Sequence, residues 1–497
     1  MSKTYAIVRS YIPIKLRLLV LTASALIFAI IIASVQAATF APAGSPYNGG
    51  DGAASCPPAA GLPAPSNPPS LSTVTCTETG GPSAVTVNWV SDTPSGSQTD
   101  NAWGQGTQSD CYLAKAGGNA AACVSAVTGI GAHECAQHNC PGTSILVRAS
   151  SDGGVTWGPF VFACGIACKN VGWQFDPQLQ VASDGTVYAA WLNTFDPGTV
   201  LSKSSDHGRT WTTPVTMNGS LTYNDKPILA ISPSGRDVYL AFDDKADAYA
   251  VASHDYGASF SAPMKTNADA YSYLAYGGTV APNGAVYFGE TGESKDALGP
   301  EPVAVVDSRD GGRTWTTTIL DTSQEAPPCS SKGCYRDFYS SQATVAADAS
   351  GRLVFAYLLN VVPDAPKSLY VRTSTDGLAW SARSLVNADG DSNMPAIAAG
   401  PAAGDFRLVW QDDRNGGAWN TWYARTTDGG RSWSADVRLS DLGSGAPYKS
   451  PAGYAFPFGD YLGLAVDGGG TNHVIWGEGD GIYTGGGTGG SWFTRGR

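Results

Sequence analysis

Charged side chains are scarce in this chain: Asp, Glu, Lys and Arg make up only 14% of its 497 residues. Long solvent-exposed helices carry a charged face, so this scarcity disfavours a mainly helical protein. Glycine and proline are abundant instead, with 61 and 31 copies. Such a composition is typical of many short strands joined by tight turns, and it predicts an all-β fold.

Basic residues are fewer than acidic ones. The chain has 30 Lys and Arg residues against 42 Asp and Glu residues, which gives a net charge of −12. Binding to a phosphate backbone needs clustered Lys and Arg that displace counterions. We therefore expect no nucleic-acid partner.

The N-terminus carries the features of an export signal. Lys15 and Arg17 precede an apolar run from Leu18 to Val35, and the small-residue pattern of a signal-peptidase site ends at Ala37. We predict a signal peptide over residues 1–37, a tether rich in Pro, Gly and Ala over residues 38–70, and one folded domain over residues 71–497. The apolar run is also long enough to be an uncleaved membrane anchor. Either alternative places the protein outside the cytoplasm, and we expect a monomer that touches a membrane only through such an anchor.

Ten cysteines in an exported chain favour disulfides. They fall in close sequence pairs, and our hypothesis is pairing between nearest neighbours: Cys56 with Cys76, Cys111 with Cys123, Cys135 with Cys140, Cys164 with Cys168, and Cys329 with Cys334. The alternative for one stretch is a zinc site, because His133, Cys135, His138 and Cys140 are the ligand types that zinc takes.

A short pattern of Ser or Thr, Asp, Gly and a terminal aromatic residue recurs along the chain. Its first copy runs from Ser150 to Trp157, and a degenerate seventh copy without the Asp ends at Trp492. In a hairpin turn the Asp carboxylate accepts backbone N–H groups, Gly permits positive φ, and the aromatic ring packs inward. We interpret the Asp residues of the six good copies as structural: Asp152, Asp206, Asp255, Asp310, Asp376 and Asp428.

This pattern resembles the Asp-box, or bacterial neuraminidase repeat, of sialidase-like propellers. The resemblance covers nearly everything after the tether, and it implies a β-propeller with the Asp-box turns on one face. The segments around Trp410 to Arg414, Asp460-Tyr461 and Trp476-Gly-Glu478 are similar to exported bacterial Asp-box proteins often labelled exo-α-sialidases. Fold similarity of this kind says little about the reaction.

A second repeat lies upstream of each Asp box. Seven apolar runs end in an aromatic residue: Val85 to Trp89, Val187 to Trp191, Val238 to Phe242, Val286 to Phe288, Leu353 to Tyr357, Leu408 to Trp410, and Val474 to Trp476. Each unit therefore offers four strands, A to D from the axis outward, with the Asp box between C and D. We predict seven four-stranded blades, with six blades and an irregular first unit as the alternative. A cysteine-rich insertion is expected at about residues 100–142.

The loops on the face opposite the Asp boxes are the functional candidates, because loops at one end of a rigid scaffold commonly carry function. The D-to-A and B-to-C loops of the predicted blades are rich in polar residues there, including Asp176, Asp243 and Glu290. We select candidate catalytic residues Asp225, Asp337, Tyr461 and Glu478, and candidate ligand-binding residues Lys226, Arg336, Arg414, Asp413 and Asp460. No cofactor is expected to be required, although the carboxylates offer oxygen ligands suited to Ca²⁺, and the metal content stays open.

A sialidase needs an arginine cluster to bind the substrate carboxylate, an acidic residue and an activated tyrosine. The family's Arg-Ile-Pro motif is missing, and only Arg336 and Arg414, with Lys226, fall on the candidate loops. We therefore expect poor activity on sialosides. The preferred hypothesis is an extracellular propeller that recognises glycans or other cell-surface ligands. The alternatives are a glycoside hydrolase of the exo-α-sialidase type and a protein-interaction scaffold.

Overall fold

The computed structural model describes 16 segments of the chain: residues 85–89, 105–112, 122–128, 145–150, 161–163, 174–193, 198–222, 224–267, 271–293, 300–324, 341–415, 418–439, 449–450, 453–454, 462–478 and 490–497. Contacts divide the chain into Met1–Ala38 and Thr39–Arg497, and every described residue belongs to the second unit. These segments contain strands, turns and loops but no helix, so the all-β prediction is confirmed. They likewise contain no helix long and apolar enough to cross a membrane.

Five sheets of four strands follow one another along the chain, each an antiparallel meander. Their strands are, sheet by sheet, β6 (Gln174–Val181), β7 (Val187–Asn193), β8 (Gly198–Ser204) and β9 (Val215–Thr216); β10 (Asn224–Ile231), β11 (Val238–Asp244), β12 (Asp247–Ser253) and β13 (Met264–Lys265); β14 (Ser272–Val280), β15 (Val286–Glu293), β16 (Glu301–Ser308) and β17 (Thr316–Ser323); β18 (Ala343–Ala347), β19 (Leu353–Leu359), β20 (Ser368–Ser374) and β21 (Ser384–Asn387); and β22 (Ser392–Ala399), β23 (Phe406–Asn415), β24 (Ala418–Thr426) and β25 (Val437–Arg438).

A sixth sheet closes the C-terminal part, with strands β28 (Gly463–Val466), β29 (Asn472–Glu478) and β30 (Gly490–Gly496). It is preceded by a small hairpin of β26 (Lys449–Ser450) and β27 (Gly453–Tyr454). The first strands of all six sheets contribute residues to one cavity, which lies where the axis of a propeller is expected. These six sheets are therefore the blades of a β-propeller.

The N-terminal sheet is irregular. It contains β1 (Val85–Trp89), β2 (Gln105–Tyr112), β3 (Ala122–Thr128), β4 (Ile145–Ser150) and β5 (Val161–Phe162). Strand β1 pairs with β2, β3 and β4, and the β1–β3 pairing is parallel. The prediction of seven regular four-stranded blades is therefore wrong. Strands β2 and β3 form within the segment that we interpret as an insertion, and they interrupt the meander. The alternative of six blades with an irregular first unit is confirmed.

The hydrophobic core lies between neighbouring blades. One cluster joins Tyr188 and Leu201 of the β6–β9 blade to Leu240 and Phe242 of the next blade, and corresponding clusters join the following blades. The aromatic residues that end the Asp boxes pack against these clusters, as Phe260 does. A glycine of the box turn is held close to the preceding blade: a Cβ on Gly257, whose φ is +74°, would lie 2.5 Å from Leu201 Cδ2.

The Asp-box turns join strands C and D and share one surface, the box face, with the A-to-B turns. Tyr256 N donates to Arg236 O at 3.0 Å, and Gly429 N donates to Gly404 O at 2.8 Å. Because the strands are antiparallel, the starts of the A strands and the ends of the B strands lie on the other surface, called here the opposite face. This arrangement places the described members of the selected polar loops, such as Asp225 and Asp243, on one side of the propeller.

The carboxylate of each described box holds its own turn together. Asp206 Oδ1 accepts the amides of Arg209 and Thr210 at 3.1 and 2.8 Å, and its Oδ2 accepts the Thr210 hydroxyl at 2.6 Å. The Ser204 hydroxyl donates to Oδ1 at 2.7 Å. The same pattern recurs at Asp255, Asp310 and Asp428, and a shortened form of it at Asp376. Asp152 lies outside the described residues.

Candidate functional site

The inner strands begin with a repeated irregularity on the opposite face. In β6, β10, β14 and β22 the pairing with the next strand slips by one residue, which marks a β-bulge. Three bulges place a non-glycine residue at positive φ immediately before a proline: Asp176 at 50°, Lys226 at 49° and Met394 at 54°. Such backbone costs about 1–3 kcal/mol per residue. A bulge redirects a side chain, so these positions are suited to presenting particular groups.

Two adjacent bulges bring together what we call the carboxylate cluster, which consists of Asp176, Asp225, Asp243 and Lys226. Asp176 lies near the start of β6, Asp225 and Lys226 near the start of β10, and Asp243 near the end of β11. Asp225 is the backbone partner of Asp243 in the sheet. Asp225 acts electrostatically on Asp176 across the two blades.

Burial sorts the cluster into an outer and an inner part. Asp176 and Asp225 are partly exposed, whereas Lys226 and Asp243 are buried, with only 2% and 5% of their surface exposed. Asp225 Oδ1 accepts the amide of Lys226 at 2.9 Å. Asp243 Oδ1 is buried and has no hydrogen-bond partner within the described parts of the chain. The cluster thus combines two partly exposed aspartates with a buried lysine and a buried, incompletely satisfied carboxyl group.

Two carboxyl groups of the cluster, those of Asp176 and Asp243, have raised pKa values and stay protonated at a higher pH than ordinary carboxyl groups. Burial raises the pKa of Asp176 to about 7; the negative charge of Asp225 and its hydrogen bond add to this effect, whereas Lys226 opposes it. Burial also raises the pKa of Asp243 well above its usual range, and the charges of Asp225 and Asp176 act in the same direction. Asp176 is consequently able to hold a proton near neutral pH.

A small cavity of about 170 Å³ lies on the axis, with Tyr276, Pro395, Gln178 and Ile228 among its lining residues. Gln178 and Ile228 each follow a cluster residue by two positions, Asp176 and Lys226, on the same strand. Two residues of strand span about 7 Å. The carboxylate cluster therefore lies close to the cavity, on its side toward the opposite face.

Arg414, a predicted ligand-binding residue, is already fully engaged by protein groups. Its Nε donates to Asp412 Oδ1 at 2.9 Å, Nη1 donates to Asp436 Oδ2 at 2.7 Å, and Nη2 donates to Asn387 Oδ1 at 2.8 Å and Asp412 Oδ2 at 2.6 Å. The guanidinium also lies 4.0 Å from the ring centroid of Trp422. These contacts give Arg414 a role in fixing the loops between blades.

The remaining predicted site residues differ in where the structure places them. Asp413 accepts the amide of Asp391 through Oδ1 at 2.7 Å and so contributes to the loops near Arg414. Glu478 ends strand β29 on the opposite face, as predicted from the strand order. The other four lie outside the described residues: Arg336, Asp337, Asp460 and Tyr461.

The structure also adds a buried acid that the sequence analysis misplaced. Glu290 is the fifth residue of its B strand, where the corresponding strands have Trp191 and Phe242. It is completely buried, accepts the Thr266 hydroxyl at 3.1 Å, and has its pKa raised to about 8 by burial. The sequence analysis ends the apolar run of this blade at Phe288, two residues before Glu290. Counting five residues from Val286 would have revealed an acid in an aromatic position.

Metal ligands are not gathered in the described segments. No group of three or more His, Cys, Asp or Glu side chains there has the geometry to hold a metal ion. The residues proposed as an alternative zinc site, His133 to Cys140, lie outside these segments. Cys111 and Cys123 are direct partners in the β2–β3 ladder, and their disulfide stays a prediction, as do the other four pairings.

No family model matches this chain, and no curated protein matches it. Several solved structures are similar at low identity. A Hadza microbial sialidase is 15% identical, with a TM-score of 0.43 over 71% of this chain and 75% of that one. The intramolecular trans-sialidase from Ruminococcus gnavus is 12% identical, with a TM-score of 0.42 over 64% and 92%. A Trypanosoma rangeli sialidase is 13% identical, with a TM-score of 0.41 over 64% of this chain and 54% of its own. These structural neighbours are sialidase-like proteins, and the activities in their names belong to them.

Proposed function

We propose that this chain is an extracytoplasmic propeller that binds a carbohydrate on the opposite face, with the carboxylate cluster at the centre of the site. The observation that carries this proposal is the convergence of Asp176, Asp225 and Asp243 from two blades, next to the axial cavity. Partly exposed carboxyl groups that accept and share protons are suited to sugar hydroxyl groups. The predicted export signal supports a location outside the cytoplasm, where surface glycans are found.

The cavity limits how the ligand binds. Its volume of about 170 Å³ is smaller than the roughly 300–1,000 Å³ of pockets that enclose whole small molecules. Only an end of a ligand can enter it, and the rest must lie across the loops of the opposite face. We therefore expect recognition of a terminal sugar.

A glycan array tests the proposal. Labelled protein should bind a defined subset of glycans, and Asp225→Asn should reduce that binding at least tenfold. Asp389→Asn is a matched control, because Asp389 lies on the same face in the loop before β22 and its side chain is 75% exposed. It should change binding less than twofold. Absence of any bound glycan, or equal loss in both variants, would refute the proposed site.

A glycoside hydrolase is the second candidate, favoured by the raised pKa of Asp176. A carboxyl group with a pKa of about 7 can donate a proton to a leaving group at neutral pH. Asp225 acts directly on Asp176, whereas the two carboxyl groups of glycosidases are separated by roughly 5–9.5 Å. Asp176 and Asp225 would act together as one acid, and the second group would come from another predicted residue: Asp337, Tyr461 or Glu478.

Fluorogenic glycosides separate the two candidates. A hydrolase should release fluorophore from at least one member of a panel that includes a sialoside, and Asp176→Asn should abolish the release without lowering the melting temperature. Turnover that survives Asp176→Asn would exclude this acid. Binding on the array without turnover would leave the protein as a recognition module.

A further inference from the structure

The charge balance of the carboxylate cluster indicates which sugars it accepts. Three carboxyl groups face one ammonium group, and that ammonium group is buried beneath the outer pair. A sugar acid would bring a carboxylate against these groups, and the repulsion grows as Asp176 loses its proton above about pH 7. Repulsion between like charges increases when the groups are removed from water, so this contact is unfavourable.

Of the two candidate arginines, the one within the described residues, Arg414, is committed elsewhere. Recognition of a carboxylate is strongest with a bidentate guanidinium. The three nitrogen atoms of Arg414 instead donate to Asp412, Asp436 and Asn387. Redirecting Arg414 to a ligand would leave the buried Asp412 without its counter-charge, which is costly.

The buried Asp243 carboxyl group gives an independent indication. Its Oδ1 atom is removed from solvent and unpaired within the described residues, although Asp176, Asp225 and Lys226 all act on it electrostatically. An unsatisfied buried oxygen usually has a missing partner such as water or ligand. A sugar hydroxyl group satisfies such an atom whether or not Asp243 is protonated, because a hydroxyl group both donates and accepts, whereas an anionic group can only accept.

We infer that the cluster binds an uncharged sugar through adjacent hydroxyl groups and discriminates against sugar acids. This inference rests on the proposed carbohydrate-binding function. The carboxyl groups of Asp176 and Asp225 contact the hydroxyl groups from the solvent side, and Asp243 Oδ1 bonds one of them from within. The ligand class is therefore set by the absence of charge at the terminal sugar.

Matched methyl glycosides test this inference by saturation-transfer NMR and calorimetry on the purified protein. The probes are the methyl glycosides of glucose, galactose and mannose, the corresponding methyl uronides, and methyl sialoside. Each uronide differs from its partner only in a carboxylate in place of the terminal CH₂OH group. At least one uncharged glycoside should bind ten or more times tighter than its uronide. Asp225→Asn should weaken that binding at least tenfold and reduce the preference over the uronide at least threefold, whereas Asp389→Asn should leave both within twofold.

The outcomes separate the inference from the proposed function. A uronide or sialoside that binds as tightly as the uncharged probes, and is lost in Asp225→Asn, would overturn the uncharged-sugar inference and leave carbohydrate binding in place. An uncharged glycoside that binds equally well to Asp225→Asn would overturn the placement of its hydroxyl contacts. No binding by any probe, together with an empty glycan array, would overturn both.

Discussion

Asp310 on the box face and Asp176 on the opposite face have pKa values that are shifted in opposite directions. On the box face, hydrogen bonds from Thr314, Ser308 and the turn amides lower the pKa of Asp310 to about 2. On the opposite face, burial and the neighbouring charge of Asp225 raise the pKa of Asp176 to about 7. The same side chain is thus a permanently ionised turn cap on one surface and a proton-holding group on the other.

This difference arises from where the partners come from. A box carboxylate is satisfied by residues within four positions of it in the sequence, so each box is complete within one turn. The carboxylate cluster draws its members from two blades, with Asp176 and Asp225 separated by 49 positions. Stability on one face is therefore local, and chemistry on the other depends on assembly of the propeller. Four experiments sharpen or break this comparison.

The largest effect is expected from Arg414, which shows that the opposite face also contains structural charge. Arg414→Met removes the counter-charge of Asp412, whose side chain has no exposed surface. We expect the free energy of unfolding to fall by about 3–5 kcal/mol, because a buried charge is left unpaired. Urea unfolding measures this change.

Arg383→Met is the control for Arg414. Arg383 pairs with Asp321 at 3.1 Å but is 39% exposed, so its loss should cost less than about 1 kcal/mol. The sequence analysis selects Arg414 as a ligand-binding residue, and that role would imply lost binding with little change in melting temperature. If Arg414→Met loses ligand at an unchanged melting temperature, Arg414 is a ligand-binding residue. The distinction between the structural contacts of Arg414 and the carboxylate cluster would then be wrong.

The second experiment concerns Glu290, a carboxyl group in an interface between blades. Its pKa of about 8 in the folded protein exceeds the ordinary value of 4.5, so the native state retains a proton that the unfolded chain loses. The corresponding stability is complete below about pH 4.5 and is lost as the pH rises to about 8. Glu290→Gln stays neutral and should be more stable than wild type at pH 9 by on the order of 3 kcal/mol.

Thermal unfolding at pH 5 and pH 9 gives the comparison. The melting temperature of the wild type should fall more between these values than that of Glu290→Gln, while the two proteins should differ little at pH 5. Parallel losses in both proteins would show that Glu290 is ionised in the native interface.

The sequence predicted the repeated parts of this structure because they are local. Strand B of each blade was located from its apolar run, and the box turns were located from residues such as Asp206 and Gly208. The order A to D then placed Asp225 and Lys226 correctly on the face opposite the boxes. Spacing in the sequence is enough for these features, because each is completed within one blade.

The remaining features depend on partners from other blades. The engagement of Arg414 by Asn387 and Asp436, and the bond between Asp176 and Asp225, follow from packing that no local pattern records. The N-terminal sheet departed from the prediction for a similar reason, since β1 pairs in parallel with β3. Glu290 differs, because the strand register alone would have identified it.

The third experiment tests the local nature of the box turns. Asp206→Ala leaves the amides of Arg209 and Thr210 and the hydroxyl of Thr210 without their acceptor. The free energy of unfolding should fall by about 1–3 kcal/mol, and affinity for the ligand should be unaltered in the folded fraction. Chemical unfolding combined with a binding assay measures both. A loss of binding at unchanged stability would place function on the box face.

The smallest effect, and the most direct test of the cluster, is on the pKa of Asp176. Asp225 raises this pKa through its charge and its hydrogen bond, and Lys226 lowers it. Asp225→Asn should therefore move the pKa below the wild-type value of about 7, and Lys226→Met should move it above, by about one unit each, which corresponds to about 1.4 kcal/mol. Titration of the Asp176 side-chain carbon by NMR measures both shifts.

Because the folded pKa is raised, the associated stability is present below about pH 3.8 and is lost as the pH approaches 7, so Asp225→Asn should also flatten the stability profile in that window. Asp389→Asn should leave the titration unchanged. Shifts of the same sign in the two cluster variants would mean that Asp176 responds to burial alone, and the cluster would then have no more internal coupling than the separate turns of the box face.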